Sequence, residues 1–254
     1  MTVTSAPSFA VGLARTSADL EAAQKLRYQV FVEELGGSGA LVDHENKLEQ
    51  DRFDPFFDHL LLRDLEKDAV VGVYRVMRMD QAEAAGGFYS ANEYDLSPLL
   101  KSGRRLLELG RSCLHADYRG GAALFHLWTG LAEYVKTHRI EVLFGVASFH
   151  GTDAKALAEP LSLLHHRHLA PEPLRVTARP EAFQAMDLIE ENQLDRRRAM
   201  LQIPSLIKSY LRLGGFVGQG AFIDHKFNTT DVCLVLDTER MNDKQVRYYQ
   251  GHTG

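Results

Sequence analysis

The chain has 254 residues, of which 45% are hydrophobic, and a formal net charge of −5. This length and apolar content bury a sizeable core and exclude a disordered tail, and no nucleic-acid partner is expected. No apolar run approaches the roughly 20 residues of a membrane-spanning helix, and "MTVTSAPSFA" lacks the basic start and apolar stretch of a signal peptide, so a cytoplasmic protein is expected.

Thr16 with Asp19 has the pattern of a capping box, and Leu20, Ala23, Leu26, Val30 and Phe31 continue one apolar helix face that ends at Gly36 and Gly37. "HLLLRD" and "AVVGVYRVMRM" are β-rich runs flanking the charged turn "LEKDA", which predicts a hairpin. "RRLLELGRSCL" is a further strand and runs straight into "HADYRGGAALFHLW". Beyond that stretch Leu124, Leu127, Trp128, Leu131 and Val135 recur at helical spacing, and Lys136, His138 and Arg139 suit the negative end of the helix dipole. "IEVLFGVASF" is a buried strand, so the order strand, glycine turn, helix, strand predicts a βαβ unit with parallel strands. Pro160 interrupts a helix beginning near Thr152, and residues 171–200 show no clear period. "SLIKSYLRLGG" is amphipathic, and "GFVGQGAFI" with "DVCLVLD" closes the sheet as a hairpin. No repeat or linker divides the chain, so residues 1–254 are expected to form one α/β or α+β domain.

The turn from Tyr118 to Ala123 is the first candidate site. A helix N-terminus offers unpaired N–H groups and partial positive charge, so a glycine-rich turn before it makes an anion site, although Gly120 and Gly121 also suit a plain strand-to-helix turn. No Lys-Ser/Thr follows and a third glycine is missing, which excludes the Walker and dinucleotide patterns. Cys113 and Cys233 read as small buried residues, and neither "HHRH" at 165–168 nor the pair Cys113 and His115 has zinc spacing, so no metal is expected.

The strand leading into "YRGGAA" and a long helix resembles the pyrophosphate loop of the Gcn5-related N-acetyltransferase (GNAT) superfamily. Upstream, "LRYQVFVEELG" supplies Arg27, Val30 and Phe31, "DRFD" supplies Asp51 and Asp54, "VGVYRVMR" supplies Arg75, and "ELGRSCL" supplies Glu108 and Arg111. This ordered set resembles the acyl-homoserine-lactone synthases, except that the tryptophan they carry after the Val-Phe pair is missing. The C-terminal half, "IPSLIKSYLRLGGFVGQGAFIDHKFNTTDVCLVL", resembles the L-ornithine N-alpha-acyltransferase branch, also filed under haemolysin-like names. The resemblance covers most of residues 9–237 and implies a GNAT-like mixed, largely antiparallel twisted sheet flanked by helices. Its core would span about 9–155, with a helical segment and closing strands over about 156–237.

The implied reaction moves a 3-hydroxyacyl chain from acyl carrier protein to the α-amino group of L-ornithine, the first step of ornithine-lipid synthesis. The donor's 4'-phosphopantetheine would lie on Tyr118, Arg119, Gly120, Gly121, Ala122 and Ala123, with no permanently bound cofactor. An ammonium has no lone pair, so a proton acceptor is needed. Glu108 is the candidate, either as base or as a structural carboxylate paired to Arg111. Gly110 would permit a bulge that turns Glu108 and Arg111 toward one cleft and frees a backbone N–H at 111–114 for the oxyanion. Asp51, Asp54 and Glu34 would meet the ammonium groups of ornithine, Arg27 or Arg75 its carboxylate, and Phe31 joins the substrate set. Residues 195–212 carry five Arg and Lys against one Asp, beside Leu201, Ile203, Leu206, Ile207 and Leu211. That segment suits the acidic carrier, the inner-membrane surface, or plain packing on the core. The alternatives are a lactone synthase using S-adenosylmethionine, a short-chain acetyl-coenzyme A N-acetyltransferase, and a non-catalytic membrane- or carrier-binding protein. Acylation of Cys113 is a further route.

Overall fold

A computed structural model describes residues 8–120 and 122–241. It forms two compact units, one of residues 8–76 and 110–138, the other of 77–109 and 139–241. The chain crosses from the second to the first within the strand Leu106–Leu114, between Leu109 and Gly110. The fold is the expected α/β class, a mixed, largely antiparallel sheet flanked by helices.

In the first unit the strand Phe9–Leu13 pairs antiparallel with Asp58–Asp64, which pairs antiparallel with Ala69–Arg78 as the predicted hairpin. The helix Ser17–Arg27 starts on the predicted box, with Thr16 Oγ1 accepting Asp19 N–H and Asp19 accepting Thr16 N–H. The helix does not run on as α to Gly36. From Tyr28 to Glu34 it widens into a π-helix, and Leu35 N–H reaches back to Val30 O. The apolar stripe still does its work there, because Ala23, Leu26 and Val30 bury against Leu61, Val73 and Cys113, with Phe31 packed at the edge. The helix Ala123–Thr137 lies over the strands Phe9–Leu13 and Asp58–Asp64, burying Leu127, Trp128, Leu131 and Tyr134 where the spacing pointed to Val135.

In the second unit Leu106–Glu108 pair in parallel with Val142–Phe144, as the βαβ reading requires. The strand Val142–His150 pairs antiparallel with Thr229–Asp237, and that strand pairs with Ala221–Asp224 to close the predicted hairpin. The parallel register ends at the pair Glu108 and Phe144, and an added β-carbon at Gly145 would lie 2.1 Å from Leu109 O. Only glycine lets the Leu109 backbone cross at that distance. Pro160 does not interrupt a helix: the helix begins at Ala158 and places Pro160 in its first turn, where a missing N–H costs nothing. Residues 171–200 hold short 3₁₀ turns and two-residue bridges, which explains their lack of period. The helices Arg196–Gln202 and Ser205–Arg212 follow. No helix among the described residues is long and apolar enough to cross a membrane.

Candidate active site

The first unit contains a closed ring of alternating charges. Arg27 donates to Glu49 (2.5 Å) and Asp54 (2.7 Å), and Arg75 donates to Asp54 (2.7 Å) and Asp51 (2.8 Å). Arg111 completes the circuit to Glu49 (3.0 Å) and Asp51 (3.4 Å). Three guanidinium groups thus face three carboxylates, a set that is neutral as a whole and paired around its circuit. Gln24 adds a bond to Asp54 Oδ2 (3.0 Å), and Arg75 stacks 4.1 Å from the centre of the Phe57 ring. Burial alone would raise Asp54, but Arg27 and Arg75 outweigh it and hold the carboxyl well below the usual range. Glu49 and Asp51 are lowered in the same way, against burial, by Arg111 and Arg27 and by Arg75 and Arg111 respectively.

Of the residues assigned to substrate, Arg27 and Asp54 are sealed in the interior and paired with one another. Arg75 is equally buried, while the side chains of Asp51 and Arg111 keep 20% and 15% exposure and form the ring's solvent edge. Glu49 was missed because nothing in "ENKLEQDRFD" separates it from its acidic neighbours. Arg111 itself takes a left-handed backbone, φ +48°, so the irregularity in the strand falls there and not at Gly110. A residue with a β-carbon is strained at positive φ, and two carboxylates on the guanidinium hold it there.

The glycine turn is also built as a holder. Tyr118 is buried and donates its hydroxyl to Asp64 (2.6 Å), which anchors the turn to the hairpin. Gly120 has φ +78° and open space where a β-carbon would stand, so backbone freedom selects glycine there. Gly121 lies outside the described residues. Ala122 begins the helix without a side-chain cap, and Ala123 is buried. Arg119 lies beside this helix start with its guanidinium forked onto Glu34, Nη2 to Oε2 at 2.7 Å, and Nε donating to Leu114 O (3.1 Å). Glu34 is therefore committed to Arg119 through that hydrogen bond, which holds its carboxyl below the ordinary range. Burial pushes the Cys113 thiol up to about 12, so it stays protonated and poorly nucleophilic.

In the second unit Glu108 is 1% exposed. Its two oxygens accept Tyr89 N–H (2.8 Å) and Ser90 N–H (2.5 Å), tying the turn Tyr89–Asn92 to the strand. In the segment 195–212, Ala199, Ile203, Ile207 and Tyr210 are buried, whereas Arg196, Arg197, Arg198 and Leu201 are exposed.

Residues 26–129 match the acetyltransferase (GNAT) domain. The chain is 59% identical over 247 residues, 95% of each chain, to the L-ornithine N(alpha)-acyltransferase of Rhodobacter capsulatus. It is 44% identical to the protein of that name from Brucella abortus, covering 95% of this chain and 89% of the other. Among solved structures, the N-acyl amino acid synthase FeeM from uncultured soil microbes superposes with a TM-score of 0.53 at 12% identity, over 92% of this chain and 93% of its own. The CoA-dependent acyl-homoserine lactone synthase MesI also gives 0.53, at 13% identity over 96% and 97%. These two share the fold.

Proposed function

Because this chain belongs to the L-ornithine N(alpha)-acyltransferase family, we propose that it moves a 3-hydroxyacyl chain from acyl carrier protein to the α-amino group of L-ornithine, giving lyso-ornithine lipid. The observation that carries this reading is identity of 59% along 95% of both chains with a relative of that name. The neutral amine attacks the thioester carbonyl, the C–N bond forms, the C–S bond breaks, and the pantetheine thiol leaves with the proton that the nitrogen gives up. Glu108 is the proposed acceptor of that proton, directly or through a water, and a backbone N–H at 111–114 is the proposed oxyanion donor.

The donor's phosphopantetheine is read onto Tyr118–Ala123, with Arg119 exchanging Glu34 for a phosphate oxygen. Geometry supports this: the Arg119 fork is already shaped for a two-oxygen anion, and the helix behind it has no side-chain cap. The exposed Arg196, Arg197 and Arg198, with Leu201, form the proposed docking face for the acidic carrier, and a peripheral inner-membrane contact is its second use. A cytoplasmic protein follows from that donor.

The test incubates purified protein with 3-hydroxyacyl carrier protein or 3-hydroxyacyl-coenzyme A and L-ornithine, and follows free thiol and product mass. Carrier-dependent N-acyl-ornithine is expected. Product from the coenzyme A thioester alone would overturn the donor assignment, and a KM for the carrier-linked donor insensitive to salt would overturn the docking face.

A further inference from the structure

The acids that the sequence offers to ornithine are already matched by arginines in the first unit. A different acidic group stands in the second. Glu93, Asp224 and Asp231 bring carboxylate oxygens within 4.8 Å of one another. The hairpin accounts for two of them, since Phe222 pairs with Asp231 and Asp224 with Thr229, which sets Asp224 and Asp231 on one face of the sheet. The third is fixed by its neighbour: Tyr94 donates its hydroxyl to Gly220 O (3.0 Å) and Asp231 O (2.9 Å), pinning Glu93 against the same hairpin.

Asp231 is 4% exposed, and its Oδ1 is sealed from solvent without a close hydrogen-bond partner. The groups that face Asp231 are the side chains of Ser148, Thr229, Asp224 and Glu93. Burial pushes its carboxyl up to about 6, and Asp224 adds to the rise, against the side chains of Ser148, Thr229 and Glu93, which lower it. A buried carboxylate with an unengaged oxygen, beside two further acids, is an arrangement that a positive charge stabilises.

We propose that Glu93, Asp224 and Asp231 form the pocket that takes the side-chain ammonium of a dibasic amino-acid acceptor. This rests on the ornithine reading above, in which the α-nitrogen reacts and the δ-ammonium keeps its charge. An ammonium donating three bonds of about 2.8 Å spaces its acceptors about 4.6 Å apart, which falls inside the 4.8 Å that bounds the three oxygens. Asp224 Oδ1 already accepts Lys226 N–H (2.7 Å) and Phe227 N–H (3.1 Å), so it offers its other oxygen. Three carboxylates offering single oxygens suit a three-donor ammonium better than Ca²⁺, which takes about six to eight oxygen ligands. Asp224 is half-buried, the most exposed of the three.

The test compares L-ornithine with L-norvaline, which has the same carbon chain without the δ-ammonium, using the purified full chain. Wild type should prefer ornithine in kcat/KM. In Asp231→Asn that ratio should fall about tenfold to a hundredfold, the effect of losing one hydrogen bond between charged groups. An unchanged ratio, or parallel loss of both substrates, overturns the pocket. Asp224→Asn, less buried, carries the same comparison if the first variant does not fold. Titration calorimetry of each amino acid without donor judges the pocket independently of turnover. Tighter binding of ornithine by wild type alone supports it even if no acyl transfer occurs, a result that would sink the ornithine-acylation reading instead. Titration with Mg²⁺ or Ca²⁺ that depends on Asp231 while the amino-acid ratio stays fixed would make it a metal site and overturn the proposal.

Discussion

Arg27 and Asp54 stand at the centre of the charged ring, and each is sealed from water. Removing one partner of such a set leaves an uncompensated buried charge, so Asp54→Asn should lower stability by about 3–5 kcal/mol. Urea denaturation reads this directly, and an unchanged midpoint would mean that the ring carries little stability. Cys113 tests the opposite expectation. Its thiol is held protonated by burial, so Cys113→Ala should keep acyl transfer while losing some packing. Loss of turnover with the fold intact would restore an acyl-enzyme route.

At the scale of elements, two glycines should respond oppositely to the same added methyl. Gly145 lets the Leu109 backbone cross the strand Val142–His150, and a β-carbon there would meet Leu109 O at 2.1 Å. Gly145→Ala must displace main chain and should reduce the melting temperature sharply or abolish soluble protein. Gly120 meets no atom within 4 Å but sits at φ +78°. Gly120→Ala should cost only about 1–2 kcal/mol of backbone strain while raising KM for the acyl donor, because the N–H groups of the turn re-aim. A melting-temperature series paired with donor titrations separates the two, and an unchanged donor KM in Gly120→Ala would count against the phosphate role of the turn.

For the whole molecule, two sets of buried carboxylates carry opposite pH dependence. Glu49, Asp51 and Asp54 have lowered folded values, so their stabilisation is full above the ordinary carboxylate range and is lost as pH falls through the folded values. Acid unfolding should therefore set in below about pH 4. Asp231 is raised from 3.8 to about 6, so its contribution is full below 3.8 and is lost as pH rises through about 6. Ligand-free Asp231→Asn should gain about 1–3 kcal/mol on wild type between pH 4 and 7. Denaturation curves at both pH values check the sign, and a constant difference would place the Asp231 carboxyl in its ordinary range.

The capping box at Thr16, the β-hairpin around "LEKDA" and the parallel strands flanking the long helix were all legible in the chain, because spacing along it dictates which side chains share a face. The π-turn Tyr28–Glu34 was not, since an apolar stripe looks alike whether the backbone bonds reach back four residues or five. Nor did the chain reveal that Glu49 closes the ring, that Glu34 belongs to Arg119, or that Glu93, Asp224 and Asp231 converge. Charge pairing depends on separation and desolvation in space, and acids that read alike along the chain take opposite roles once folding decides which of them an arginine can reach.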